Sequence, residues 1–218
     1  MCIRDSKYFV NDKVNSKHVV ELGDIFFEAD YNIEIMMRYL FGSDWFYDAK
    51  NIGAKIKSPI EFIAGMTYSF NIEYGDPKIL FKLQQVLGQQ LFKPPNVAGW
   101  KGGRSWIDNS TLMLRLNLAN YLFQNSELQY TAKADLADQK TPGKLKALNA
   151  SLNFDEHLKL IESLESNEKM ELLSALTIQD TSKLDLSKLQ PFLSNNSEDD
   201  KYISLLLRLM TMPEYQMC

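Results

Sequence analysis

Ser58-Pro59-Ile60-Glu61-Phe62-Ile63-Ala64-Gly65-Met66-Thr67-Tyr68-Ser69-Phe70 holds the clearest start signal in the 218-residue chain, and the signal is helical. Ser58 is placed to cap, and Pro59 suits the first helical position, where a missing N–H costs nothing. Glu61 is placed to reach back and complete a capping box. Phe62, Ile63, Met66 and Phe70 then recur at helical spacing. The pattern continues on both sides. Asp76-Pro77 precedes Ile79, Leu80, Leu83, Val86 and Leu87, and Gly88 stops that helix. Upstream, a helix after Ser16 is expected to bury Val19, Val20, Leu22, Ile25, Phe26 and Phe27. Another after Asp30 is expected to bury Ile33, Met36, Met37, Leu40 and Phe41, with Gly42 as its C-terminal cap. Downstream, Asp108 or Asn109 caps a helix bearing Leu112, Leu116, Ala119 and Leu122, with Arg115 on the same helix. Amphipathic stretches come next, near 145–164, 167–177 and 185–193. Asn195-Asn196-Ser197-Glu198-Asp199-Asp200 leads into a last helix with Leu205, Leu206, Leu207 and Leu209. No run shows sustained strand-like alternation. The expected fold is all-α, an irregular multi-helix bundle with a long ordered Gly/Pro/Trp loop between two helices.

That loop spans residues 88–108. It concentrates four of the ten glycines, two of the seven prolines and two of the three tryptophans. Pro94-Pro95 favours an extended path without backbone donors, while Gly99 and Gly102-Gly103 permit left-handed backbone. The first expectation is a structural plug, with Trp100 and Trp106 sealing the space between the flanking helices. The alternative is a recognition surface. Exposed tryptophan faces would stack on sugar rings, and Asn96, Arg104 and Asp108 would hydrogen-bond hydroxyls. Glycine amides beside Lys101 and Arg104 would instead cradle a sulfate or phosphate. A Gly-Lys-Ser/Thr step is absent, so the loop is not a nucleotide-binding P-loop.

Domain organisation is expected as a helical core over 1–125, a polar linker over 126–144 containing Thr141-Pro142-Gly143, and a C-terminal helical segment over 145–218 packing on the core. An internal echo links the two ends. Met36-Met37-Arg38-Tyr39-Leu40-Phe41-Gly42-Ser43-Asp44-Trp45 lies over Leu206-Leu207-Arg208-Leu209-Met210-Thr211-Met212-Pro213-Glu214-Tyr215. Both read as a helix end, a break and an aromatic folding back. A shared stop device is the economical explanation, since two short copies do not make a repeat array.

Charge and residue usage exclude several chemistries. The net charge of −4 argues against general nucleic-acid binding, which needs a basic face. Residues 50–104 hold eight Lys/Arg against three acids, a local +5, so the remainder carries −9. A solvated charged surface explains this, and a local attraction for anionic groups near the loop is the sharper alternative. Cys2 and Cys218 lie at the extreme ends, and His18 and His157 stand apart, so no metal site is expected. No cofactor motif is present. Each histidine is expected to be an ordinary helix-surface residue. No apolar run reaches the length of a membrane span, and Arg4, Asp5 and Lys7 leave no signal-peptide core. Met1-Cys2-Ile3-Arg4-Asp5-Ser6 resembles the spurious leader of open reading frames from metagenomic assemblies, so the natural start is expected further upstream.

Gly88-Gln89-Gln90-Leu91-Phe92, Pro94-Pro95-Asn96-Val97-Ala98-Gly99-Trp100, Gly102-Gly103 and Trp106 together resemble the signature of the bacterial domain-of-unknown-function 1800 family. Lys55-Ile56-Lys57-Ser58-Pro59-Ile60-Glu61-Phe62, Thr111-Leu112-Met113-Leu114-Arg115-Leu116-Asn117 and Met212-Pro213-Glu214-Tyr215-Gln216 are similar to its other segments. Family members are longer, so the resemblance implies the C-terminal part of a larger protein. It also implies a helical bacterial protein, commonly exported to the periplasm or beyond, often encoded beside a sulfatase- or phosphatase-like partner. It implies no activity.

For catalysis the pattern offers little. Glu61 and Asp108 are expected to cap helices, and Arg115 to be a buried or half-buried partner of one of these carboxylates. No nucleophile elbow or HExxH is present. Two functions from different classes stay open. One is a non-catalytic helical module that binds a partner protein or a glycan, with Asn96, Trp100, Lys101, Arg104, Trp106, Asp108 and Arg115 as candidate binding residues. The other is part of a hydrolase acting on an anionic or polysaccharide substrate, with Glu61, Glu73, Asp76 and Asp108 converging and further groups lying elsewhere. Helices separated from absent partners are expected to expose a large apolar patch.

Overall fold

The computed structural model describes residues 2–126, 128–130, 143–145, 148–193 and 196–218. The expected linker at 126–144 falls largely outside the described residues. Among those described, nine α-helices dominate, joined by short 3₁₀ turns and two small antiparallel ladders. The fold is all-α. None of these helices is long and apolar enough to cross a membrane.

The chain divides into two compact units. The first comprises residues 1–55 with Cys218. Its helices are α1 (Cys2–Phe9), α2 (Ser16–Glu28) and α3 (Ile33–Gly42). Asn15 and Asn32 cap α2 and α3, each side chain accepting a backbone N–H of the first turn. The core is small: Leu22 and Phe26 from α2 meet Met36 and Leu40 from α3, with Trp45 and Phe46 packed alongside. Seven of the apolar positions expected to be buried are not, Met37 being half-buried. Val20, Phe27, Ile33 and Phe41 are exposed, and Val19 and Ile25 only half-buried, because two short helices bury one stripe each. Gly42 ends α3 as its last helical residue, and Ser43 follows as the cap in extended backbone. His18 is no plain surface group, since its ring stacks on Trp45 at 4.0 Å.

The second unit spans Ile56–Met217. It contains α4 (Pro59–Ser69), α5 (Lys78–Leu87), α6 (Asn109–Phe123), α7 (Asp155–Ile161), α8 (Ser166–Thr177) and α9 (Glu198–Met210). The expected capping box at Ser58 is present: the Glu61 N–H donates to Ser58 Oγ at 3.2 Å, and the Ser58 N–H donates to Glu61 Oε2 at 2.7 Å. Two short ladders accompany these helices: β1 (Glu73–Tyr74) pairs with β4 (Ala150–Ser151), and β2 (Leu128–Tyr130) with β3 (Gly143–Leu145). They are too short to leave an alternating pattern in the sequence. One continuous core joins Phe62 and Met66 of α4 with Phe70 at its C-terminal cap, Leu83 and Leu87 of α5, Leu118 and Leu122 of α6, and Leu205, Leu206 and Leu209 of α9. Each such side chain contributes roughly 1.5–3 kcal/mol on leaving water. Expected helices at 145–164 and 185–193 shrink to α7 and to 3₁₀ turns at Leu186–Lys188 and Gln190–Phe192.

The internal echo has a structural counterpart. Helix α3 gives way to a 3₁₀ turn at Asp44–Tyr47, and α9 to one at Pro213–Gln216. Each turn carries the expected aromatic, Trp45 in the first unit and the buried Tyr215 in the second.

Candidate functional site

The loop begins where Gly88, at φ 87°, caps α5 in left-handed backbone that a side chain disfavours. Two glutamines pin its first residues. Gln84 Oε1 accepts the Leu91 N–H at 3.0 Å, and Gln89 Oε1 accepts the Ile60 N–H at the start of α4. Asn96 turns the chain locally, its Oδ1 accepting the Ala98 N–H at 2.8 Å. Gly99, Gly102 and Gly103 all take positive φ, and a 3₁₀ turn over Gly103–Trp106 delivers Trp106 into the interior. The far end is a second capping box. Asp108 Oδ1 accepts the Thr111 N–H at 2.8 Å, while Thr111 Oγ1 accepts the Asp108 N–H at 2.9 Å. Thr111 Oγ1 also donates to the Trp106 carbonyl, tying the tryptophan's backbone to α6.

The candidate residues therefore separate. Trp106 and Arg115 are interior groups, and Asp108 is a half-buried cap. Asn96, Lys101 and Arg104 are exposed, and Trp100 is half-buried between the two sets. Of the two tryptophans expected to be buried, Trp106 is and Trp100 is not.

Arg115 is fully buried. Its Nε donates to Gln216 Oε1 at 2.9 Å, one terminal nitrogen donates to the Lys57 carbonyl, and the guanidinium lies 4.9 Å over the Phe62 ring. Burial lowers its pKa to about 10, partly countered by the negative charge of Glu61. Its hydrogen bonds thus run to a carbonyl and an amide, while Glu61, one of the two carboxylates the sequence suggested, acts on it through charge. Beside it, the Lys57 ammonium donates to the Tyr215 carbonyl at 2.8 Å and covers the Tyr215 ring at 4.2 Å. Burial raises the Tyr215 phenol above its usual range.

Sequence patterns did not single out Phe92. It takes φ 63°, a left-handed conformation that is an outlier for a bulky side chain, and its ring is 99% exposed. Val97, further along the loop, is also fully exposed. No sequence signal marks a positive φ at phenylalanine.

A second concavity lies in this unit. A groove of about 860 Å³ runs along α4, bounded by Leu80 and Gln84 of α5, His157 and Leu160 of α7, and Leu176 of α8. His157 is not a plain surface residue. It stacks on Phe70 at 5.0 Å, and burial lowers its pKa against a smaller upward pull from Glu156. Among the described residues, no group of three or more His, Cys, Asp or Glu is placed to hold a metal ion.

These features define an all-α protein whose long loop is capped at both ends and carries a buried tryptophan just before its far cap. The chain belongs to the family described as "Protein of unknown function (DUF1800)", whose model matches residues 3–217. No curated protein and no solved structure matches it.

Proposed function

We propose that this chain is a non-catalytic binding module that docks a partner protein through the outer edge of the 88–108 loop. The observation that carries this is Phe92. A bulky residue in left-handed backbone costs about 1–2 kcal/mol, and a fully exposed ring recovers nothing from packing within the chain. Strain of this kind, on a loop whose neighbours are pinned, supports a preorganised anchor that a partner buries. Val97, Lys101 and Arg104 are exposed along the same loop and add apolar and basic side chains for a partner to meet. A partner protein is favoured over a glycan because Trp106 is interior and Trp100 only half-open, leaving no broad tryptophan face for a sugar ring. Glu61 and Asp108, two of the carboxylates a hydrolase would draw on, act as helix caps.

The test is quantitative co-purification from the source cells with wild type, Phe92→Asp and Val97→Asp as baits, beside a glycan array with wild type and Trp100→Ala. The proposal expects a defined protein whose recovery falls at least about tenfold with either loop variant. Glycan binding that depends on Trp100, or recovery indifferent to Phe92, overturns it.

A further inference from the structure

The +5 carried by residues 50–104 divides once the chain folds. Three of its eight cations are engaged: Lys50 pairs with Asp48, Lys55 covers the Tyr8 ring, and Lys57 covers the Tyr215 ring. The other five are Lys78, Lys82, Lys93, Lys101 and Arg104. All are exposed, and their side chains make no hydrogen bond, ion pair or ring contact among the described residues. They fall within residues 77–107, a stretch without a single Asp or Glu in a chain that has 28. Lys93, Lys101 and Arg104 belong to the 88–108 loop, where residues 91–98 are all exposed, Leu91, Phe92 and Val97 among them. The backbone N–H groups of Phe92, Asn96 and Val97 have no acceptor among the described residues.

We infer that the partner docked at this loop edge is an acidic protein, which sets Asp and Glu side chains around the site that takes Phe92. The inference rests on the loop edge being a docking surface and adds the partner's chemistry to it. Charge complementarity carries it. Unpaired cations with no anion in their segment favour a negative face and repel a positive one. A carboxylate accepts from a Lys or Arg side chain and equally from a free backbone N–H, so one residue type meets both needs. Hydrocarbon around Phe92 and Val97 would leave those N–H groups unsatisfied, which disfavours insertion into a lipid bilayer. A single-stranded nucleic acid stacks on several open aromatic faces, whereas here Trp106 is buried, Trp100 is half-buried and Phe92 alone is fully open.

The experiment is fluorescence polarisation of the full chain against two labelled peptides of Leu and Gly, one carrying glutamates and the other lysines at the same positions. The glutamate peptide is expected to bind at least about tenfold more tightly, and to weaken about tenfold between roughly 0.05 and 0.5 M salt. Lys93→Glu, Lys101→Glu and Arg104→Glu together are expected to reverse the preference, and Phe92→Ala to weaken the glutamate peptide about tenfold. Equal binding of the two peptides, no binding of either, or indifference to the charge reversal contradicts the acidic partner. Sensitivity to Phe92→Ala without sensitivity to charge leaves the loop edge as a docking surface and removes only its acidic partner. Sensitivity to charge without sensitivity to Phe92→Ala removes the docking surface itself. Tighter binding of phosphatidylglycerol vesicles or of a labelled oligothymidylate, or a wild-type dimer that the charge reversal dissociates, also overturns the inference.

Discussion

Arg115 Nε and Gln216 Oε1 meet at 2.9 Å, shielded from water and 101 positions apart in sequence. Because the same guanidinium also holds the Lys57 carbonyl, it fastens α6 to the approach to α4 and to the C-terminal turn. A charged group so deeply placed is tolerated because two of its nitrogens find acceptors, its plane lies over the Phe62 ring and the Glu61 charge acts on it.

Gln216→Ala is expected to cost about 1–3 kcal/mol by leaving a buried charged donor unpaired. Arg115→Ala is expected to cost more, about 2–5 kcal/mol, since it adds a cavity and orphans two acceptors. Urea unfolding measures both. Equal stability of all three proteins would show that the fastening carries no energy.

Trp106→Ala is expected to lose about 3–5 kcal/mol, as for a buried aromatic, and Trp100→Ala clearly less. Chemical denaturation of the two variants side by side checks the order. The reverse order would mean that the loop is anchored at Trp100.

Ser58→Ala and Asp108→Ala each remove a helix cap and are expected to cost about 1 kcal/mol, within a range of roughly 0.5–2. Capping different helices through different hydrogen bonds, they should add in the double variant to within about 0.5 kcal/mol. Thermal unfolding curves of the single and double variants provide the comparison.

His157 gives the fold a pH dependence of known sign. Its pKa is lowered in the folded state, chiefly by burial, so below pH 6.5 the unfolded chain takes up a proton that the folded one refuses. Stability from this group is fully present above pH 6.5 and declines as pH falls towards the folded value. Melting temperatures between pH 7 and 5 are expected to fall less steeply for His157→Gln than for wild type. Parallel slopes would remove His157 as the cause.

Much of the fold was legible because its signals are local. Capping at Ser58 and Asp108 and the glycine stop at Gly88 depend on a few neighbouring residues, and the periodicity of α4, α5 and α9 on one helix at a time. Features hidden from the sequence depend on partners distant in the chain. Val20 and Phe27 carry the composition of core residues, yet a two-helix core has room for only one stripe of α2. The 3₁₀ turns after Asp185 replace an expected helix because Asp185 and Pro191 favour tight turns over a continuous ladder. In the candidate site, the loop, its basic edge and its packing tryptophan were visible as composition. Which tryptophan turned inward, and that Phe92 turned outward in strained backbone, were set by backbone angles that no residue type encodes.

The most direct measurement is photo-crosslinking from position 92. Phe92 is replaced by p-benzoylphenylalanine in the full chain and, as a control, so is the exposed Phe81 of α5. After irradiation in extracts of the source cells, a single discrete protein adduct at position 92 and none at 81 is the predicted result. No adduct at 92, or the same adducts at both positions, would contradict the loop edge as a docking surface.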